Sequence, residues 1–419
     1  MARRNDVRIR KAHVKTKTDS SANREYENDE VAEVARSVAE RRMERSKKPK
    51  SKKRLIILAI ILLLGLIVYL RWDVLNPVSV FNWGKIVVTG GESGDGFPAK
   101  AEGSSVVKMD SVSNQLALLT GNTLTVYNKS AGVVQTENHN FASPILSTAG
   151  NHILLAEMGG TRIQTQTLGS AMKEVNTESN IMAADIAGNG SFVVATGSSK
   201  SYASEVICYS KSGKEKLHWY SSDILVMDVA IRNDGRQMAV VGVQSNQGAT
   251  ESKLLVFNTS SNNEPTKYGG TGVLLCQVEF LSNSVVGAVG DTESWVVRVG
   301  KNDFTKISYT DKKLIGCAFS GSQIGLVLQN YGTTTGCELL GISKSGKEDF
   351  SIDFDETYQS FSSGSYGRFF LLTDSNVIMC NSSGKTKAIA TEIGGLKVCG
   401  TFAGDAVVLG LTAMNCYSF

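Results

Sequence analysis

The side chains best suited to chemistry are few and scattered along this chain of 419 residues. Its four histidines are His13, His139, His152 and His218, and no pair has HExxH or HxH spacing or stands at ligand spacing from a cysteine. The seven cysteines, Cys208, Cys276, Cys317, Cys337, Cys380, Cys399 and Cys416, are odd in number and form no CxxC, so a complete disulfide framework is impossible. Cys276, Cys317 and Cys399 occupy matching places in LLCQVEF, IGCAF and KVCGTF, the pattern of small thiols packed between innermost strands. Neither GxSxG nor a P-loop occurs, and the Gly-rich runs at 89–96 and 269–272 lead into no helix whose N-terminus would hold a phosphate. Carboxylates are plentiful, among them Asp349, Asp353, Asp355 and Glu356, but sequence alone sets no two of them at glycosidase separation. The acidic run EDFSIDFDE at 348–356 reads instead as an exposed outer strand and loop. The expectation is a chain that is not an enzyme, with no catalytic, cofactor-binding or metal-binding residue.

The elements available to position any site are short strands. Gly totals 41 and Pro only 5. Beyond residue 85, β-rich runs such as QLALLTG, FVVATG, EVICYS, QMAVVG, KLLVFN, RFFLLT and AVVLGL alternate with Gly/Ser/Asn turns, and helical periodicity is missing. Several runs are apolar on both faces, as inner strands of stacked sheets are. One strand-turn pattern recurs as VYNKSAG (126–132), CYSKSGK (208–214), VFNTSSN (256–262), GISKSGK (341–347) and CNSSGK (380–385), with weaker copies at 164–170, 297–303 and the C-terminus. Anchored on Tyr127, Gln166, Tyr209, Phe257, Val297, Gly341, Cys380 and Tyr417, the steps are 39, 43, 48, 40, 44, 39 and 37 residues.

That period is the length of a four-stranded propeller blade. Eight anchors predict an all-β propeller of eight blades, or seven if one weak copy is irregular. The turns at 188–190 and 233–235 fall where the first two strands of a blade meet. The last copy has three strands only, KVCGTF, AVVLGL and MNCYSF, and the fourth can come from the N-terminal side. Lys85–Thr89 (KIVVT) is the strand expected to close the ring.

The strand-turn-Gly-Lys repeat resembles the repeats of pyrroloquinoline-quinone-type propellers and of the outer-membrane assembly lipoprotein built from them. YSKSGKEKLHW (209–219) carries the likeness furthest, with Trp219 in the place of the docking tryptophan, two residues further from Gly213 than the usual motif and unrepeated in other blades. The layout as a whole, with GFPAKAEGSSVVKMDSVSNQLALLTGNTLTVYN (96–128) opening the repeats, is similar to a Gram-positive family of membrane-anchored propellers with a domain of unknown function. The resemblance implies a fold and implies no activity.

The N-terminal segment has a different character. Residues 1–54 hold 18 Lys/Arg against 9 Asp/Glu, whereas the remainder holds 26 against 31. Leu55 to Leu70 reads LIILAIILLLGLIVYL, uncharged and bounded by Arg54 and Arg71. As a helix it covers about 24 Å, slightly short of the roughly 30 Å hydrocarbon core, a deficit that snorkelling arginines and an interfacial Trp72 would cover. The sequence therefore predicts a cytoplasmic basic tail (1–54), a transmembrane helix (55–71), a juxtamembrane linker (72–84) and an extracytoplasmic propeller (85–419), oriented by the positive-inside rule. Within the tail, Val31, Val34, Ala35 and Val38 form one stripe of a helix near 25–45 that would suit a cytoplasmic partner. The basic run at 47–54 beside the anchor reads as lipid-facing, and nucleic-acid binding is not expected. The functional expectation is a non-enzymatic scaffold in the cell envelope that binds a protein partner on its propeller loops. The alternative is a propeller enzyme or sensor for an extracellular glycan or small ligand.

Overall fold

The computed structural model describes residues 94–419, apart from Ser199 and Asn262. The basic tail, its 25–45 helix, Leu55–Leu70, the 72–84 linker and Lys85–Thr89 lie outside the described residues. Among the described residues no helix is long and apolar enough to cross a membrane.

The described chain forms eight four-stranded antiparallel sheets, each a consecutive meander except the last. Blades 1 to 7 span 106–138, 144–176, 181–221, 225–271, 275–308, 312–354 and 358–390. Blade 8 takes Gly395–Thr401, Asp405–Gly410 and Ala413–Tyr417, and its outer strand is Ala99–Lys100 from the other end of the chain. The first strand of every blade touches the first strands of both neighbours, so these strands surround the axis and the eight-bladed ring closes between blades 8 and 1.

All eight anchor residues of the sequence repeat lie on the third strand of a blade. The repeat records the turn from third to outer strand, and its chemistry is visible in four copies. Asn128, Ser210, Ser343 and Asn381 each donate their backbone N–H to the carbonyl four residues on, at 2.8–3.0 Å. Their side chains accept the N–H of that same residue, at 2.8–3.3 Å. The residue before it has positive φ in each case: Ala131, Gly213, Gly346 and Gly384. Ser and Asn recur because their short side chains close this turn, and Gly recurs because the left-handed conformation costs it nothing. The acidic run at 348–356 supplies the outer strand Glu348–Phe354, largely exposed as expected.

Ring closure corrects one expectation. An N-terminal strand does complete blade 8, but it is Ala99–Lys100, which pairs with Met414 and Ala413, and not Lys85–Thr89. Backbone bonds Ala101 N–H to Thr412 O (3.1 Å) and Gly103 N–H to Leu411 O (2.9 Å) extend the clasp. The clasp needs only a free edge of matching length, and a two-residue strand gives no propensity signal to compete with KIVVT.

The core is divided into eight apolar clusters, one in each gap between neighbouring blades. Second strands such as Phe192–Thr196 and Val285–Gly290 are buried throughout because each packs against a blade on either side. Trp219 sits on the outer strand of blade 3 and meets Phe257 of blade 4 edge-on, with ring centroids 5.3 Å apart. It joins two blades, as an aromatic pair of this geometry does in any core.

The third-to-outer turns also pack backwards. A β-carbon added at Gly384 would stand 2.6 Å from Phe350 Cβ of the preceding blade, whereas one at Gly321, also at positive φ, meets nothing within 4 Å. Gly321→Ala should therefore cost about 1 kcal/mol of backbone strain, and Gly384→Ala should cost about 1–3 kcal/mol more from overpacking. Denaturant unfolding of the two variants checks this; equal losses would show that the blade contact yields freely.

Candidate functional site

The axis is built from the first strands, and their inner edges pose a problem. Each such edge has backbone N–H groups without a strand partner, which must be bonded some other way. Neighbouring blades supply the bonds from side chains. Ser147 Oγ accepts the Ile186 N–H (3.2 Å), Asp185 Oδ2 the Ile231 N–H (2.8 Å) and Asp228 Oδ2 the Val278 N–H (3.0 Å). On the other side of the ring, Ser360 and Ser362 accept the Val398 and Gly400 N–H groups. Cys317 Sγ donates to Gln277 Oε1 (2.9 Å), Ser320 Oγ to the Gly364 carbonyl (3.1 Å), Lys108 Nζ to the Leu146 carbonyl (2.8 Å) and Lys397 Nζ to the Val107 carbonyl (3.2 Å). Every gap between blades is thus bridged at the axis.

The positions repeat. In seven blades the pairing of first and second strands shifts by one residue near its start, at Val107, Met182, Met227, Cys276, Ile315, Gln359 and Leu396. The residue after this bulge (Asp228, Ser360) and the third residue after it (Asp185, Ser362) reach the same two N–H groups of the next blade. A bulge re-aims the side chains that follow it, and here it turns them along the ring.

Four half-buried carboxylates result: Asp110, Asp185, Asp228 and Glu279, all on first strands. Protein surrounds them on every side but the axis, and burial raises all four. Asp228 reaches about 7; its bonds from the Val278 and Val229 N–H groups oppose the rise, and the charge of Asp185 adds to it. Glu279 reaches about 8, pushed by burial and then by the charge of Asp185. Its Oε1 accepts only the adjacent Phe280 N–H (2.8 Å). Asp185 is the best solvated by protein, accepting from Ser147 Oγ at 2.7 Å as well as from Ile231. Glu279 and Asp185 share the wall of a cavity of about 270 Å³ with Thr148, Arg232, Asn233 and Ser282. Among the described residues, no group of three His, Cys, Asp or Glu side chains is placed to hold a metal ion.

The structure brings none of the residues named from sequence into this cluster except cysteines. Cys276, Cys317 and Cys399 do lie on innermost strands. All seven cysteines are free. Burial pushes the Cys208, Cys337 and Cys416 thiols up to about 11 and those of Cys317 and Cys380 to about 12, which keeps them protonated and unreactive. The histidines are dispersed. His139 and His152 are buried and depressed by that burial, His152 to about 4. His218 Nε2 meets Glu205 Oε2 at 2.9 Å and its ring stacks on Tyr220 at 4.2 Å, on the rim of blade 3. The axial carboxylates became legible only once the first strands could be aligned on their bulges.

The two faces of the ring differ. On the upper face lie the connections from second to third strand and from each outer strand to the next blade. These hold nine acidic residues, among them Glu102, Glu178, Asp223, Asp291, Asp311 and Asp355, against one basic residue, Lys200. The lower turns hold nine basic residues, among them Lys129, Lys214, Lys301, Lys344, Lys347 and Lys385, against three acidic ones. Eleven large apolar side chains are exposed among the described residues. Nine belong to upper loops or the upper ends of first strands, including Met158, Leu225, Leu274, Tyr331, Leu396 and Leu411. Only Val133 and Tyr366 lie below.

A family model described as a family of unknown function, DUF5711, matches residues 98–393, from the closing strand to the end of blade 7. The chain belongs to that family. No curated protein matches it. Among solved structures, the C-terminal WD40 domain of Sif2 is similar at 13% identity and a TM-score of 0.54, covering 77% of this chain and 99% of that one. The WD40 domain of Neurospora crassa Pan2 aligns at 8% identity with a TM-score of 0.46, over 75% of this chain and 89% of that one. Protein lmo1340 from Listeria monocytogenes EGD-e aligns at 8% identity with a TM-score of 0.43, over 76% and 92%. At these identities the likeness to Sif2 shows the propeller fold of this DUF5711 member and nothing of its activity.

The raised carboxylates give a pH dependence with a definite sign. A carboxyl with a higher pKa in the folded than in the unfolded chain binds more protons when folded, so its stabilising share is present below about pH 4 and lost as pH rises through the folded value. For Glu279 the loss runs up to about pH 8. Between pH 5 and 8.5 the unfolding free energy of wild type should fall relative to that of Glu279→Gln by an amount on the order of 1–2 kcal/mol, with a matching fall in melting temperature. Parallel melting curves for the two proteins would refute it.

Proposed function

We propose that this chain is a non-enzymatic, single-pass membrane protein whose extracytoplasmic propeller is a protein-interaction scaffold in the cell envelope. In this reading residues 1–54 remain cytoplasmic, Leu55–Leu70 crosses the bilayer, and the 25–45 helix offers a second contact inside the cell. The observation that carries the scaffold reading is the concentration of nine exposed large apolar side chains on one face of the ring. A soluble surface scatters such residues, whereas a docking surface gathers them, and loops on a rigid scaffold are where partners bind. The acidic loops around them suit a partner with a basic rim.

A second reading, an enzyme or sensor acting on an extracellular glycan or small ligand, has the axial cavity with Asp185 and Glu279 in its favour. Against it stand the hydrogen bonds that already occupy both Asp185 oxygens, from the Ser147 hydroxyl and the Ile231 N–H, and one oxygen each of Asp228 and Glu279, from the Val278 and Phe280 N–H groups.

The test uses the full chain, crosslinked in cells and purified with its neighbours. Leu225→Glu, Leu274→Glu and Leu411→Glu on the upper face should each reduce recovery of a specific envelope protein about tenfold or more, as loss of a central apolar contact does. Val133→Glu and Tyr366→Glu on the lower face should leave recovery unchanged. Equal recovery from all five variants would overturn the upper face as the docking surface.

A further inference from the structure

The lower face is the strongest feature left unexplained. Its turns carry nine basic residues on a domain whose sequence beyond residue 54 is net acidic, 26 Lys/Arg against 31 Asp/Glu. Uniformly spread, that charge would repel an anionic surface. In its turns that charge is segregated, mostly basic below and mostly acidic above. Lys214, Lys301, Lys344, Lys347 and Lys385 are all exposed and come from four different blades, so the charge is distributed around the ring and not confined to one patch.

The chain's path supplies a second, independent observation. An outer strand runs from the lower to the upper face, and Ala99–Lys100 is the outer strand of blade 8. The residues before it must therefore come from below. They do: the Gly96 N–H donates to the Ser130 carbonyl (3.0 Å) and the Gly94 N–H reaches Ser130 Oγ (3.4 Å), both on the lower turn of blade 1. The described chain thus enters the propeller along its basic face.

We infer that the lower face lies against the anionic headgroups of the bilayer in which the same chain is anchored, leaving the acidic, apolar-studded upper face turned outward. The inference rests on the anchor reading above. Between Leu70 and Gly94 stand 23 residues, a tether of at most roughly 75 Å when extended. Such a tether holds the domain at an effective concentration in the millimolar range at the membrane surface. Weak attractions then suffice, and each Lys or Arg held near an anionic leaflet contributes one. The attraction decays within a Debye length, about 10 Å, so a flat ring of short turns satisfies it and a face presented edge-on does not. The opposite orientation would press nine carboxylates and the apolar rim against the headgroups.

The full chain is reconstituted in nanodiscs of phosphatidylcholine alone and of phosphatidylcholine with phosphatidylglycerol, and surface amines are labelled briefly with an acylating reagent. Labelling of Lys214, Lys344, Lys347 and Lys385 should fall about fivefold in the anionic discs and recover in high salt, while Lys200 and Lys313 on the upper side label equally in both. The triple variant Lys344→Glu, Lys347→Glu, Lys385→Glu replaces exposed side chains, should melt like wild type, and should lose the protection of Lys214. Equal labelling of lower lysines in both discs, or protection of Lys200 and Lys313 instead, would overturn the inference. Protection by a soluble polyanion such as polyphosphate but not by the anionic discs would overturn it in favour of a polymer ligand. Failure of the chain to co-migrate with any disc would be a failure of the anchor reading itself and is scored separately from the labelling.

Discussion

The structure depends on how the bare inner edge of each blade is satisfied. A propeller places eight strand edges around one axis with no ninth strand to pair them. Leaving those N–H groups unbonded would cost on the order of a kilocalorie per mole or more for each buried one. The chain meets this with side chains of the first strands, and in blades 3, 4 and 7 a displaced register near the strand's start swings an Asp or Ser toward the neighbour's backbone N–H. Carboxylates at the axis are in this light mostly adhesive. Asp185 and Asp228 take the place that hydroxyls take in blades 2 and 7, and the raised proton affinity of the axial carboxylates is chiefly the consequence of burial, to which the charge of Asp185 adds at Asp228 and Glu279.

The ring was legible in the sequence because its turns obey a local rule. A Ser or Asn that closes the turn with its own side chain, followed three residues on by a residue at positive φ, leaves the same letters in each blade. Counting those letters finds the third strands without knowing anything of the packing. The closing strand was misplaced for the complementary reason. Lys85–Thr89 has high β-propensity, whereas Ala99–Lys100 owes its place to a long-range pairing with Met414 and Ala413. The axial carboxylates were equally hidden, since Asp185 and Asp228 are separated by a whole blade in sequence and are related only through the bulge that precedes each.

The difference between the two faces escaped the sequence for a third reason. Upper and lower loops alternate along the chain, so any running average of charge mixes them. Glu178 and Lys214, for example, belong to opposite surfaces although one blade separates them. Once the topology sorts the loops, one side is acidic and studded with Leu225, Leu274 and Leu411, and the other is a set of Lys-bearing turns. A disc with two unlike sides can hold two unlike neighbours at once, which is what a scaffold between a surface and a soluble partner requires.

The two-residue closing strand has a mechanical consequence. A pull on the chain upstream of Gly94 is met by the Gly94 and Gly96 bonds to Ser130 and then by Ala99–Lys100, directed along that strand and across its bonds to Met414 and Ala413. Loaded in that direction the bonds resist together, in shear, and do not peel one after another. The shortest strand of the ring, together with the Ser130 turn below it, is thus the coupling through which tension enters the propeller.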